Sequence, residues 1–403
     1  MPRVPLRWVA IVVVMLSSTL NYLDRQLLAA SAPALKSEFH LTNHEYGQIL
    51  SIFSIVYAVT APLAGVFIDR VGLNVGVSIA VLTWSLAGAA TGLTHSFREL
   101  VASRTLLGIA EAAGIPCFGK ANGVYLEPGE LALGSAFNQV GVSLGLVLAP
   151  IAVAIIAPHY GWRAAFIFCG ALGVIWTPIW WFTAKKVPAK PEKTVRSTAR
   201  FVELLRDPRI WGLVVSTIFI MALYTLWTNW TTLYFVEQWH LTQVEANARF
   251  AWIPQVAATI GGFLSGWIAF HWIRRGMPVR TARMRVSWIC GVAALISTAA
   301  VPFMPNVPLA AVAVTSSAFW GICISTNLYA MPIDMFGPSR AGFGVAVLTF
   351  AYGAMQAFLS PRIGSVVDRF GFNTVCFAMS ALPVIGVLIL GLTTKPQKTI
   401  GRE

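Results

Sequence analysis

Asn21-Tyr22-Leu23-Asp24-Arg25 lies inside an apolar run that extends from about Leu6 to Pro33. A carboxylate and a guanidinium side by side in such a run are costly. At the centre of a bilayer each carries a penalty of about 2.5–3.5 kcal/mol on insertion scales, and ionisable residues kept there face a protein interior or a water-filled cavity. One further run has the same feature: Arg104-Thr105-Leu106-Leu107-Gly108-Ile109-Ala110-Glu111. These four charged side chains are the candidate working groups, and the rest of the chain is expected to hold them.

The surrounding composition is that of a membrane protein. Of 403 residues 57% are hydrophobic and 11% charged, against about 25% charged in soluble domains. A spanning helix takes about 20 residues, so twelve helices with short turns use up the chain. No room is left for a catalytic or nucleic-acid-binding domain. The expected fold is all-α and integral to the membrane: twelve transmembrane helices in two pseudo-symmetric six-helix bundles. Apolar runs place them at about 8–33, 46–68, 74–94, 99–124, 130–156 and 162–184, then 209–235, 246–272, 282–303, 308–335, 339–364 and 370–393. The domain layout is an N-terminal bundle over 1–184, a basic linker over 185–208, and a C-terminal bundle with a short tail over 209–403. Tyr160-Gly161-Trp162-Arg163 before the sixth helix is echoed by Arg369-Phe370-Gly371-Phe372 before the twelfth.

The net charge of +13 reflects the positive-inside rule rather than nucleic-acid binding. With both termini cytoplasmic, 21 of the 29 Lys and Arg residues fall on the cytoplasmic side and six on the other; the two that remain are Arg25 and Arg104. Eight of the 21 lie in or beside the linker. Among the acids, only Asp24 and Glu111 fall within the hydrocarbon. All six histidines sit in loops or at helix ends, and the five cysteines fall in apolar runs without metal or CxxC spacing, as inert buried thiols do. No catalytic residue, metal or cofactor is expected. The first apolar run has no small-residue cleavage site and is expected to be the first helix, not a signal peptide.

Gly65-Val66-Phe67-Ile68-Asp69-Arg70-Val71-Gly72 follows the second helix. It resembles the signature loop of the major facilitator superfamily, Gly-x-x-x-Asp-Arg-x-Gly, with Asn74 standing where that family usually has a basic residue. Gly65 is expected to permit close helix approach, Asp69 and Arg70 to gate conformational change, Asp69 by pairing with a base or helix end across the halves, and Gly72 to supply the turn.

Helical geometry arranges the buried charges. Arg104, Gly108 and Glu111 share one face of the fourth helix, and Gly108 is expected to leave space for the first helix. Asp24 falls between Arg104 and Glu111 in depth, so Arg104 should pair with Asp24 or Glu111. Arg25 points about 100° away from Asp24 and is expected to face the cavity without a committed carboxylate, a ready site for an anion. Alternatively, two ion pairs simply lock the first helix to the fourth, although buried salt bridges are poor stabilisers compared with apolar packing.

Together, Asn21-Tyr22-Leu23-Asp24-Arg25 and Arg104-x-x-x-Gly108-x-x-Glu111-Ala112-x-x-x-Pro116 resemble the anion:cation symporter family, which includes bacterial hexuronate, galactonate and glucarate transporters and the vesicular glutamate and sialic acid carriers of animals. The usual Glu-Arg at the start of the fifth helix is here Glu130-Leu131. The resemblance implies proton-coupled uptake of a sugar acid or similar carboxylate by a bacterial inner-membrane protein. It assigns proton coupling to Asp24, Glu111 and Arg104, and the substrate anion to Arg25. Tyr57 would contact substrate, as would Tyr22 beside Arg25, and Asn138 or Gln139 would bond its hydroxyls. From the second half, Asn229, Gln255, Asn327, Tyr329, Tyr352 and Gln356 are the polar candidates in apolar runs, with Asn327, Tyr352 and Gln356 taken as substrate contacts; Tyr352 and Gln356 lie four apart on one face. Expected partners are a small carboxylate, protons (or sodium, which carboxylates also bind) and the lipid bilayer, with the chain acting as a monomer. The alternatives are a monocarboxylate or drug carrier of the same fold, or a sensor that binds a ligand without moving it.

Overall fold

Proline and glycine cut the apolar runs into helices. The computed structural model describes residues 6–187 and 204–394. The first run gives α1, Leu6–Ala30, which breaks at Ser31 ahead of Pro33, and a short α2, Ala32–Phe39. α3 spans Asn43–Val71 and α4 Leu73–Thr91. The fourth span is in two pieces, α5 (Phe97–Glu111) and α6 (Gly114–Tyr125). Pro116 explains the break, since it can neither donate to the carbonyl of residue 112 nor clear it sterically. α7, Leu131–Lys186, continues to the edge of the linker. Most of that linker, residues 188–203 with Lys190, Lys193, Arg196 and Arg200, lies outside the described residues, as do Arg3 and the basic residues of the C-terminal tail.

In the second half, α8 (Pro208–Asn229) is followed by α9 (Thr231–Trp239) and the short α10 (Gln243–Ala246). A π-helical segment, Asn247–Ala251, leads into α11, Ile253–Arg274. Then come α12 (Val279–Ala300), α13 (Val307–Phe336), α14 (Pro338–Ser380) and α15 (Leu382–Thr393).

Ten helical stretches among the described residues are long and apolar enough to cross a membrane, and two of them run to 54 residues. At 1.5 Å per residue that is about 80 Å, more than twice the roughly 30 Å hydrocarbon core. Each is therefore two spans, and each turns at a glycine in the left-handed half of φ/ψ space: Gly161 (φ 76°, ψ 165°) and Gly371 (φ 76°, ψ 174°). The expected twelve-helix fold is thus what forms, and the echo around those two glycines marks matching turns of the two halves.

A second repeat is more exact. His40-Leu41-Thr42-x-x-Glu45 recurs 200 residues on as His240-Leu241-Thr242-x-x-Glu245. Both histidines adopt left-handed backbone (φ 51° and 55°) and both threonines form reciprocal capping boxes with their glutamates, so the same device stops one helix and starts the next.

The described chain divides into two compact units. One gathers residues 6–187 with 228–256 and 356–371; the other comprises 204–227, 257–355 and 372–394. In the first, α1 lies against the opening limb of α7 with almost no side-chain spacer. A Cβ on Gly141 or Gly145 would stand 2.5 Å from the carbonyl oxygens of Met15 or Thr19. The segments from the second half are tied in by polar contacts. Lys36 pairs with Glu237, and Asp368 accepts hydrogen bonds from the backbone N–H groups of Asn43 and His44 at 2.9 Å each, joining the N-terminus of α3 to α14. In the second unit, Ser317 on α13 accepts from the Trp227 indole at 2.7 Å and bonds Thr298 on α12 at 2.6 Å.

The signature loop departs in part from expectation. Gly72 does turn with φ 82°. Gly65, however, is not a point of close approach: a Cβ there would stand 4.0 Å from its nearest neighbour, on Pro116. Asp69 is 3.2 Å from Lys120 of α6, in the same half, and that lysine also caps α3 through the carbonyl of Ile68 at 3.0 Å.

The two turning glycines occupy backbone that only glycine adopts without strain. Gly161→Ala or Gly371→Ala should each cost about 1–3 kcal/mol. Gly119→Ala, on α6 with open space around its Cβ position, should leave stability unchanged or raise it. Thermal unfolding of the three purified variants in detergent measures the difference.

Candidate functional site

Glu111 is the last residue of α5, and the break that follows sets it against α1. Both Arg25 Nε and Nη2 donate to Glu111 Oε2, at 3.1 and 2.9 Å. Glu111 is fully buried, whereas the Arg25 side chain is 25% exposed. The guanidinium is also held among three rings, with its central carbon 4.9 Å from Tyr22, 4.9 Å from Phe53 and 4.8 Å from Tyr57. Cation–π contacts of this kind stabilise a desolvated arginine and fix its plane. Phe53 and Tyr57 are stacked at 5.9 Å on one face of α3, as their four-residue spacing requires. Only one carboxylate oxygen takes both N–H groups. The Tyr57 hydroxyl also shares a side-chain hydrogen bond with Arg25.

This arrangement corrects three expectations. Arg25 does have a carboxylate partner, Glu111. Arg104 does not pair with Asp24 or Glu111; it is almost fully buried, donates through Nη2 to Thr91 Oγ1 at 2.8 Å and lies over the Phe166 ring at 5.1 Å. Gly108 makes room for α3 rather than α1, its would-be Cβ standing 3.0 Å from the Phe53 carbonyl. The physical reason is common to all three. Spacing along one helix orders residues on its face, but which neighbour meets that face depends on how the bundle packs.

Asp24 faces the other way. It is 1% exposed and packed on α4, with Oδ1 2.8 Å from where a Cβ on Gly88 would stand. Apart from the neighbouring thiol of Cys169, a weak donor, neither carboxylate oxygen meets a hydrogen-bond donor among the described residues. Oε1 of Glu111, Nε of Arg104 and Nδ2 of Asn21 are buried without partners in the same way. The core of this unit therefore holds a group of under-satisfied polar atoms, which native interiors keep few. Among the described residues, no three His, Cys, Asp or Glu side chains converge as a metal site would.

The other candidates are spread more widely. Asn138 accepts a hydrogen bond from Ser18 and Gln139 is exposed beside it. Gln356 is half-buried in the same unit. Asn327 and Tyr352 belong to the other unit. Asn327 is buried and donates to the Cys323 carbonyl one turn back at 3.1 Å, while Tyr352 sits 5.9 Å from Tyr224, ring to ring. Sequence reasoning missed Phe53, Thr91, Gly88 and Cys169. Phe53 was open to detection by its spacing from Tyr57; the others are small, uncharged residues with no local signal.

Twelve apolar spans carrying an ion pair and two further buried charges in one bundle define a polytopic membrane transporter, not an enzyme. A family model described as Major Facilitator Superfamily matches residues 14–359, and the chain belongs to that superfamily. It is 25% identical over 421 residues to the hexuronate transporter of Escherichia coli (strain K12), covering 99% of this chain and 96% of that one. It is 28% identical over 282 residues to the galacturonate transporter of Dickeya chrysanthemi, covering 65% and 81%. A D-galactonate transporter of Escherichia coli O6:H1 is 25% identical over 98% of this chain and 97% of its own. Among solved structures, a bacterial homolog of the human lysosomal transporter Spinster, inward-facing and occupied, superposes with a TM-score of 0.83 at 19% identity over 97% of both chains.

Among the described residues, Thr91 is the hydrogen-bonding partner of the Arg104 side chain. Thr91→Val should remove a bond to a buried charged group and cost about 1.5–3 kcal/mol, read as a lowered unfolding midpoint in detergent.

Proposed function

We propose that this protein is a proton-coupled symporter of small organic anions, with sugar acids of the hexuronate or aldonate type as cargo, working by alternating access. The observation that carries this reading is the state of Arg25: partly exposed, clamped among Tyr22, Phe53 and Tyr57, and bound to a single oxygen of Glu111. A guanidinium so placed can exchange one carboxylate for another, because the N–H groups that Glu111 does not take match a second carboxylate's geometry. The names of the relatives support the choice of cargo.

Coupling follows from charge balance. With Glu111 ionised, Arg25 is neutralised internally and an incoming anion must compete for it. When Glu111 takes a proton, the pair loses its attraction and the guanidinium becomes free for the substrate carboxylate. Asp24 supplies a second protonatable group. An ionised carboxylate without a partner is expensive in an apolar interior, which suits Asp24 to carrying a proton in this arrangement and releasing it when the surroundings change. Arg104, fixed by Thr91, supplies the positive charge that an ionised acid nearby would need. Tyr57 and Asn138 or Gln139 would bind hydroxyls of the cargo, and Asn327, Tyr352 and Gln356 are further candidates. Asp69 and Arg70, at the turn after α3, are assigned to gating. The two-domain division at the basic linker, cytoplasmic termini and placement in a bacterial inner membrane belong to the same proposal.

Uptake of radiolabelled glucuronate, galacturonate and galactonate into proteoliposomes tests it, with the outside acidified. Wild type should accumulate at least one of these acids in response to the pH gradient and leave neutral hexoses behind. Arg25→Ala should weaken carboxylate affinity by about ten- to a hundredfold, the worth of one charged hydrogen-bonding contact. Asp24→Asn and Glu111→Gln should exchange labelled for unlabelled substrate yet lose pH-driven accumulation. Accumulation that survives in Asp24→Asn would remove that residue from the coupling role, and unchanged affinity in Arg25→Ala would remove the anion site.

A further inference from the structure

The turn between α11 and α12 holds five arginines, Arg274, Arg275, Arg280, Arg283 and Arg285. Its counterpart in the first half, the turn at Gly72 between α3 and α4, has only Arg70. Each turn contains a glycine with positive φ, 91° at Gly276 and 82° at Gly72, but the charges around them differ. Inside-positive bias favours basic residues in such a turn, but it says nothing of where their side chains go.

Two of the five are engaged in holding the unit together. Arg283 forms an ion pair with Asp334 on α13. Arg280 donates to the carbonyls of Gly391 and Thr394, at 2.8 Å each, and so caps the end of α15. Arg274, Arg275 and Arg285 are exposed, and none has a carboxylate partner among the described residues.

Arg285 is the telling one. It lies six residues into α12, about 9 Å from its start. Trp288, Ile289, Val292 and Ile296 follow it at three, four, seven and eleven residues, and all are exposed, so the arginine heads an apolar stripe that faces outward from the bundle. Side chains on a helix lean toward its N-terminus, which carries the Arg285 guanidinium back toward the turn and toward the level of Arg274 and Arg275. α11 repeats the pattern. Trp267 and Phe270 are exposed, Trp267 stacks on His271 at 5.4 Å, and Arg274 lies 5.8 Å from the Phe270 ring. Arginine above exposed aromatic is the pattern of a membrane–water boundary.

The start of α12 adds to the attraction for an anion. α12 packs on α13 and α15. Its N-terminus begins at Pro278 with no side-chain cap and no acid in the first turn, so its free backbone N–H groups add to the positive field.

The geometry points to a seat for one anionic phospholipid at this turn, its phosphodiester held by Arg274, Arg275 and Arg285 and its acyl chains lying on the Trp288–Ile296 stripe. A lipid is chosen over a soluble phosphate because the charged group and the outward-facing apolar stripe are continuous on one helix face. This inference requires that the chain spans a membrane, and is independent of the cargo proposed above.

Native mass spectrometry and thermal unfolding of the purified protein test it, with phosphatidylglycerol, phosphatidylcholine or inorganic phosphate added. Wild type should retain phosphatidylglycerol in preference to phosphatidylcholine and unfold at a higher temperature with it, while inorganic phosphate gives no such rise. Near an anionic surface each arginine contributes about fivefold in affinity. The Arg274→Gln, Arg275→Gln, Arg285→Gln triple variant should therefore lose on the order of a hundredfold of that preference. Arg285→Gln alone keeps four arginines in the turn, and with them the topological signal, and should lose about fivefold. Undiminished preference in the single variant would overturn the proposal and leave these arginines a topological role. Equal stabilisation by inorganic phosphate would overturn the choice of a lipid.

Discussion

A charge inside a bilayer must find a partner, and in this protein that constraint falls on one bundle. Arg25 and Glu111 satisfy it directly, with two hydrogen bonds to one oxygen and a cage of three rings. At 4 Å and an effective dielectric near 20, two unit charges attract by about 4 kcal/mol, comparable to the insertion penalty of either partner. On that scale the attraction offsets the penalty of one partner and part of the other's. Asp24 and Arg104 meet the same constraint less completely. Arg104 has a threonine and a ring; Asp24 has a glycine surface and a thiol.

The scaffold around these groups is a repeated one. Matching capping boxes at Thr42 and Thr242, matching left-handed histidines at 40 and 240, and matching turns at Gly161 and Gly371 show two copies of one six-helix plan. The copies have diverged in chemistry. The first concentrates its charge in the interior, at Asp24, Arg25, Arg104 and Glu111. The second concentrates it at the α11–α12 turn, on the surface. Backbone turns tolerate little change because only glycine, or an occasional asparagine-like residue, adopts their conformations cheaply. Side chains facing a cavity or a lipid are under no such restriction.

The close contacts in the first unit share a logic with this division. Gly141 and Gly145 bring α7 against the α1 backbone, and Gly88 makes room on α4 for the Asp24 side chain. In a lipid environment helices associate through such small-residue packing, because burial of apolar area supplies little drive there. Bringing α1 in so closely is what carries Asp24 into the core of the bundle and leaves Arg25, one residue on, at its edge.

Much of this was legible in the residues alone. Twelve spans followed from hydropathy, and the four charged candidates from their presence in runs that exclude charge; the break before Pro116 that splits the fourth span did not. The first two depend on local or one-dimensional physics: the length of a span and the cost of an ion in hydrocarbon. What the chain could not disclose was pairing. That Arg25 meets Glu111 and Arg104 meets Thr91, that Gly108 receives α3, and that Phe53 completes a cage were all decided by the rotation and depth of each helix relative to its neighbours. Those are set by side-chain packing summed over the whole bundle, a small difference among many near-equal contacts, and no spacing along a single helix contains it.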